Sequence, residues 1–212
     1  MSLDFKAIVG AQRKFFNTNQ TKSVEFCRQQ LLKLREVVES NRQNIYDAVW
    51  KDLHRNAEAT EKVEMYSLLM ELDYTLDHLD EWKRTEKLPT HPFGEPSIHN
   101  EPLGNVCIIS AFNFQIVLAL RPAISALAAG NTVLVKTSEN APHTSKLLVD
   151  MINSNFPQEY FTVVEGDGPA TERLLQERFS HIFYTGSPQI GRLVMTAASK
   201  HLTPVILELG RQ

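Results

Sequence analysis

Up to about residue 86 the apolar positions recur three or four residues apart: Leu3, Ile8 and Phe15, then Phe26, Leu31, Leu34 and Val38, then Ile45, Val49 and Leu53. That interval places one apolar stripe along each of a series of packed amphipathic helices. Residues 65–82 keep the habit through Leu68, Leu69, Leu72, Leu76 and Leu79, and their acids read as a solvated face. The pattern breaks at residues 88–96, where three prolines and a glycine stop any helix and mark a crossing between regions. Beyond it, short β-rich runs alternate with helical ones. Strands are expected at 105–110, 132–136, 161–165, 181–184 and 205–209, with helices at 116–129, 142–153, 171–177 and 188–200. Such alternation predicts a parallel sheet whose ligands sit in the loops at the carboxyl ends of the strands.

The fold class that follows is α/β, with N-terminal helices leading into a Rossmann-like parallel sheet. Residues 1–88 form the helical region, 89–104 a linker with one further strand, and 105–212 the sheet region. The first and third are expected to pack as one domain. Residues 106–135 are apolar enough to suggest a membrane span, but Asn113, Gln115, Arg121, Pro122 and Asn131 interrupt them. A buried strand–helix–strand unit explains that stretch better.

Composition narrows the picture. The chain has 212 residues, 42% of them hydrophobic, which is enough for a sizeable core. A formal charge of -3 and a pI near 6.2 give no basic field for a phosphate backbone, so no nucleic-acid partner is expected. The first six residues lack the basic stretch and apolar run of a secretory signal. Cys27 and Cys107 sit in apolar contexts and are too few for a disulfide framework. Both points favour a cytoplasmic protein.

The sharpest chemistry lies at Tyr184-Thr185-Gly186-Ser187-Pro188-Gln189-Ile190-Gly191, between an expected strand and an expected helix. Ser187 can cap that helix and Pro188 suits its first turn, leaving N–H groups that favour an anion such as a pyrophosphate. An ordinary capped helix after a tight turn has the same residues. The usual Gly-x-Gly-x-x-Gly fingerprint is absent, so the segment alone does not choose between the two.

Four ordered segments supply the context: Glu101-Pro102-Leu103-Gly104; Ala111-Phe112-Asn113-Phe114; residues 129–136 with Ser138-Glu139; and Thr185-Gly186-Ser187 followed by Leu207-Glu208-Leu209-Gly210. In that order they resemble the aldehyde dehydrogenase superfamily over nearly the whole chain. Residues 179–186 and 200–205 look most like its class 3, or fatty aldehyde dehydrogenase, branch, which tends to be dimeric and to use NAD and often NADP. The resemblance implies NAD(P)-dependent oxidation of aldehydes to acids through a cysteine thioester. It implies Asn113 as an oxyanion-hole donor and Glu208 as the general base that activates water. Lys136 and Glu139 match the pair at the adenosine ribose, Gly186 and Ser187 the pyrophosphate turn, and Gly191 a close helix–strand packing position. No metal ligand set is implied.

The chain also departs from the family. It has Phe112 and Gln115 where Trp and Pro are usual, Thr137 where Pro is usual, and Arg211-Gln212 where the family continues Gly-Lys-Ser-Pro. In the family the nucleophilic cysteine lies beyond Glu208, past the last residue, Gln212. The expectation is therefore a form truncated before the catalytic domain that binds NAD or NADP at best and oxidises no aldehyde alone. The alternatives are a non-enzymatic or regulatory protein pairing with a full-length relative through a strand near 97–100, and a non-functional product. A homodimer or such a heterodimer is the expected assembly.

Overall fold

The computed structural model describes residues 3–210. The departures expected at Arg211 and Gln212 lie outside them. Helices α1 (Phe5–Phe16), α2 (Val24–Ser40) and α3 (Arg42–Leu53) come first, followed by a short α4 (Ala57–Thr60) and the long α5 (Tyr66–Lys83). Asp4 and Ser23 start α1 and α2 by accepting the backbone N–H groups of Ala7 and Phe26. Between α4 and α5 the chain takes one π-helical turn, Glu61–Met65, that periodicity does not announce. The acids of α5 lie on a solvated face as expected: Asp73 and Asp80 are exposed and pair with Arg35 and Arg28, and only Glu71, paired with Arg121, is half-buried.

The expected crossing doubles back on itself. Strand β1 (Glu86–Lys87) pairs antiparallel with β2 (Ser97–Ile98), closing residues 88–96 into an exposed excursion. The sheet then builds from β3 (Asn105–Ile109), α6 (Gln115–Ala129), β4 (Thr132–Lys136), α7 (Pro142–Asn153), β5 (Phe161–Val164), α8 (Gly168–Leu174), β6 (His181–Gly186), α9 (Pro188–Ser199) and β7 (Val205–Leu209). Helix α8 starts three residues before its expected position because Asp167 accepts the N–H of Ala170 at 2.9 Å and Pro169 fits the first turn. β6 runs two residues further than expected because its pairing with β7 continues to Gly186.

All five strands of the main sheet are parallel, in the order β5-β4-β3-β6-β7. That is the doubly wound α/β arrangement, with the order reversing between β3 and β6. Successive residues of β3 serve opposite faces. Val106 and Ile108 join a core with α2, α3, α5, α6 and α7, whereas Cys107 and Ile109 join a second with α1, α8 and α9. The helical region thus shares its main core with the sheet.

Candidate functional site

Every expected site residue falls at or beyond the carboxyl end of a strand, except Glu208, the penultimate residue of β7, and Gly191 in α9. Lys136 ends β4, is 3% exposed, and reaches Glu139 in the next loop at 3.0 Å. Burial pushes the Glu139 carboxyl up, but its own backbone N–H and the Lys136 ammonium together hold it below the usual carboxylate range. Gly186 ends β6. A Cβ there would lie 2.2 Å from the Tyr184 hydroxyl, so only glycine lets the chain turn against that ring. Ser187 caps α9 by accepting the N–H of Ile190 at 3.3 Å. Gly191 sits where a Cβ would approach the end of the Leu209 side chain to 2.9 Å.

Lys136, Glu139, Gly186 and Ser187 line one cleft of about 330 Å³ at the switch point between β3 and β6. Glu208 lies elsewhere. It is exposed on the edge strand β7 and lines a wider hollow of about 780 Å³ with Phe114, Arg121 and Thr185. Thr185, the register partner of Glu208, borders both spaces. Asn113 is exposed in the loop after β3, between Phe112 of the first cleft and Phe114 of the second. The structure therefore gathers the four candidate nucleotide contacts and sets the two candidate catalytic residues at the boundary and on the far side.

Ser110 was not singled out by sequence, and Thr185, although inside the segment with the sharpest chemistry, was given no role of its own. They follow the paired residues Ile109 and Tyr184, and their hydroxyls are buried with no partner among the described residues. Unpartnered hydroxyls in a strand-end cleft suit a polar ligand.

Two of the departures acquire a local reason. Gln115 is buried, donates to the Ser145 hydroxyl at 2.8 Å and accepts the N–H of Ser138 at 3.2 Å, while Ser145 donates to the Ser138 carbonyl. Its amide stitches the loop that carries Glu139 to the start of α6. Thr137 donates its N–H to Val164 at 3.1 Å, prolonging the β4–β5 ladder by a bond that proline could not make.

Neither cysteine faces these spaces. Cys107 is buried within β3, where loss of solvent pushes its thiol far up, and Cys27 is buried in α2. Among the described residues no cluster of three or more His, Cys, Asp and Glu side chains could hold a metal ion, and no helix is long and apolar enough to cross a membrane.

The sequence pattern of the aldehyde dehydrogenase family matches residues 2–212. The chain belongs to the aldehyde dehydrogenase family. Among curated relatives, this chain is 41% identical to the rat dimeric NADP-preferring aldehyde dehydrogenase over 201 residues, covering 93% of this chain and 44% of that protein. It is 39% identical to human aldehyde dehydrogenase family 3 member B1, covering 93% of this chain and 43% of the relative. A solved structure of Staphylococcus aureus AldH in a substrate-bound state superposes with a TM-score of 0.95 at 34% identity, over 99% of this chain and 46% of that one. The α/β fold and the family 3 relationship expected from the sequence both stand. The chain spans less than half the length of the relatives it matches.

Proposed function

We propose that this chain forms the NAD(P)-binding part of an aldehyde dehydrogenase and brings to the active site an oxyanion donor, Asn113, and a water-activating base, Glu208. The observation that carries the reading is the convergence of Lys136, Glu139, Gly186 and Ser187 on one cleft at the sheet's switch point. The N-terminal end of α9, turned by Gly186 and capped by Ser187, faces a pyrophosphate with its backbone dipoles. Glu139, held ionised by Lys136, accepts the hydroxyls of a ribose. The pair of unpartnered hydroxyls at Ser110 and Thr185 supports a polar occupant.

The bound dinucleotide would supply the hydride acceptor. The chain's own residues do the rest of this half of the work. The Asn113 amide donates to the oxygen on which negative charge develops, and the Glu208 carboxylate takes a proton from water entering through the wider hollow. Neither cysteine can serve as the covalent nucleophile in its buried position. The 212-residue chain by itself is therefore proposed to bind nucleotide without oxidising aldehyde. Mixing it with a long-chain aldehyde and NAD should yield no NADH, and steady turnover would overturn this part of the reading. Calorimetric titration with NAD and NADP tests the rest, and the absence of binding at millimolar nucleotide would sink it.

A second reading concerns assembly. β2 is exposed and pairs on one side with β1, leaving an edge to which another copy or a longer relative could add a strand. A pull-down with a tagged relative that recovers no mixed species, together with a monomeric sedimentation profile, would remove it. Buried, unpaired Cys27 and Cys107 suit a reducing compartment such as the cytoplasm. Imaging of the tagged chain that places it in an oxidising compartment would count against that assignment.

A further inference from the structure

Glu64 has no part in the cofactor cleft or in the hollow beside Glu208, yet it is 0% exposed. It lies in the π-helical turn Glu61–Met65. One carboxylate oxygen meets Arg55 Nη1 at 2.5 Å. The other accepts the N–H groups of Ile116 at 2.9 Å and Val117 at 3.3 Å, in the first turn of α6. The second arm of the same arginine, Nη2, donates to the backbone carbonyl of Asn113, and its guanidinium lies 4.4 Å over the ring of Phe114.

A buried carboxylate is expensive unless it is fully paired, and apolar side chains could join two layers at lower cost. Burial pushes the Glu64 carboxyl up against the opposing pull of Val117, Arg55 and Ile116. What this arrangement adds over apolar packing is direction. The carbonyl of residue 113, the ring of residue 114 and the helix that begins at residue 115 are all gripped by one ion pair from the helical layer. Asn113 is itself exposed, so this grip from beneath sets its backbone.

We propose that Arg55 and Glu64 are positioning residues for Asn113, fixing its backbone so that the side-chain amide points to one place at the boundary of the two clefts. The proposal rests on the assignment of Asn113 as an oxyanion donor. Arg55→Lys separates positioning from simple support, because lysine keeps a cation on Glu64 but lacks the planar fork that reaches the Asn113 carbonyl as well.

Hydrogen exchange with mass spectrometry on the 212-residue chain reads the difference. Arg55→Lys should lower protection about tenfold in peptides covering residues 111–118 and leave the other peptides and the thermal midpoint unchanged. Glu64→Gln, which frees Arg55 and weakens the acceptor for α6, should lower protection in the same peptides by more. Undiminished protection in Arg55→Lys would overturn the proposal, and so would a loss spread evenly over the chain. Nucleotide titration of Arg55→Lys should give an affinity within about twofold of the parent, because neither Arg55 nor Asn113 lines the cofactor cleft. If the parent bound no nucleotide while the local loss persisted, the functional reading would fall and the clamp would remain.

Discussion

The two clefts at the top of the sheet are built by opposite means. The cleft holding Lys136 and Glu139 is buttressed from within: Lys136 is buried, Gln115, Ser138 and Ser145 stitch the loop, and Gly186 turns against Tyr184. The hollow holding Glu208 has an edge strand for one wall, with Ile206, Glu208 and Leu209 exposed along it. The contrast teaches that the cleft proposed for the nucleotide is braced within this stretch of chain. The wall that β7 gives to the hollow has no comparable bracing.

Substitutions can break that contrast in order of expected size. Gly186→Ala should be the most damaging. Its Cβ would strike the Tyr184 hydroxyl and ring, and calorimetry should show at least a ~100-fold loss of nucleotide affinity, about 2.7 kcal/mol. Next comes Asp52, which accepts the N–H groups of His143 at 3.1 Å and Thr144 at 2.7 Å and so caps α7, the helix that follows the Glu139 loop. Asp52→Ala should cost about 1–2 kcal/mol in denaturant unfolding.

The same cap has a pH signature. Burial pushes the Asp52 carboxyl up, but bonds from the Thr144 backbone and hydroxyl and from His143 outweigh it and leave its pKa lowered. A carboxylate that holds protons less tightly folded than unfolded adds stability above its unfolded pKa, and that stability is lost as pH falls through the lower folded value. The parent should therefore lose thermal stability on acidification more steeply than Asp52→Ala. Parallel curves would refute the cap's role.

Smaller effects sharpen the comparison further. Glu139→Gln, which removes the charged ribose acceptor, should weaken NAD binding about tenfold, and an unchanged dissociation constant would place the ribose elsewhere. Glu208→Gln should change nucleotide affinity less than about twofold, since its hollow lies across Thr185 from the cleft. A large effect there would show that the two clefts act as one.

Much of the cleft proposed for the cofactor was legible in the sequence because several of its residues are punctuation. Lys136 ends a β-rich run, Ser187 and Pro188 open a helix, and Gly186 marks the turn between strand and helix. Strand limits at 132–136 and 205–209 were legible for the same reason, whereas α8 shifted to the cap at Asp167, which a reading by apolar interval passed over. Glu64 was illegible. An acid among helical acids reads as solvated, and its burial depends on a π-helical turn and on Arg55 and α6, none of which leaves a mark at residue 64. The buried hydroxyls of Ser110 and Thr185 were hidden too, because their shared burial follows from the pairing of β3 with β6 rather than from local pattern.

The stitch through Gln115 has a consequence for how this lineage can vary. Replacing any one of Gln115, Ser138 and Ser145 with an apolar residue strands the polar atoms that the others present, so single steps are costly where a coordinated change is tolerated. Gln115 and Ser145 should consequently be inherited together. A descendant with proline at position 115 would be under pressure to shed the hydroxyl at 145, making the pair an epistatic unit.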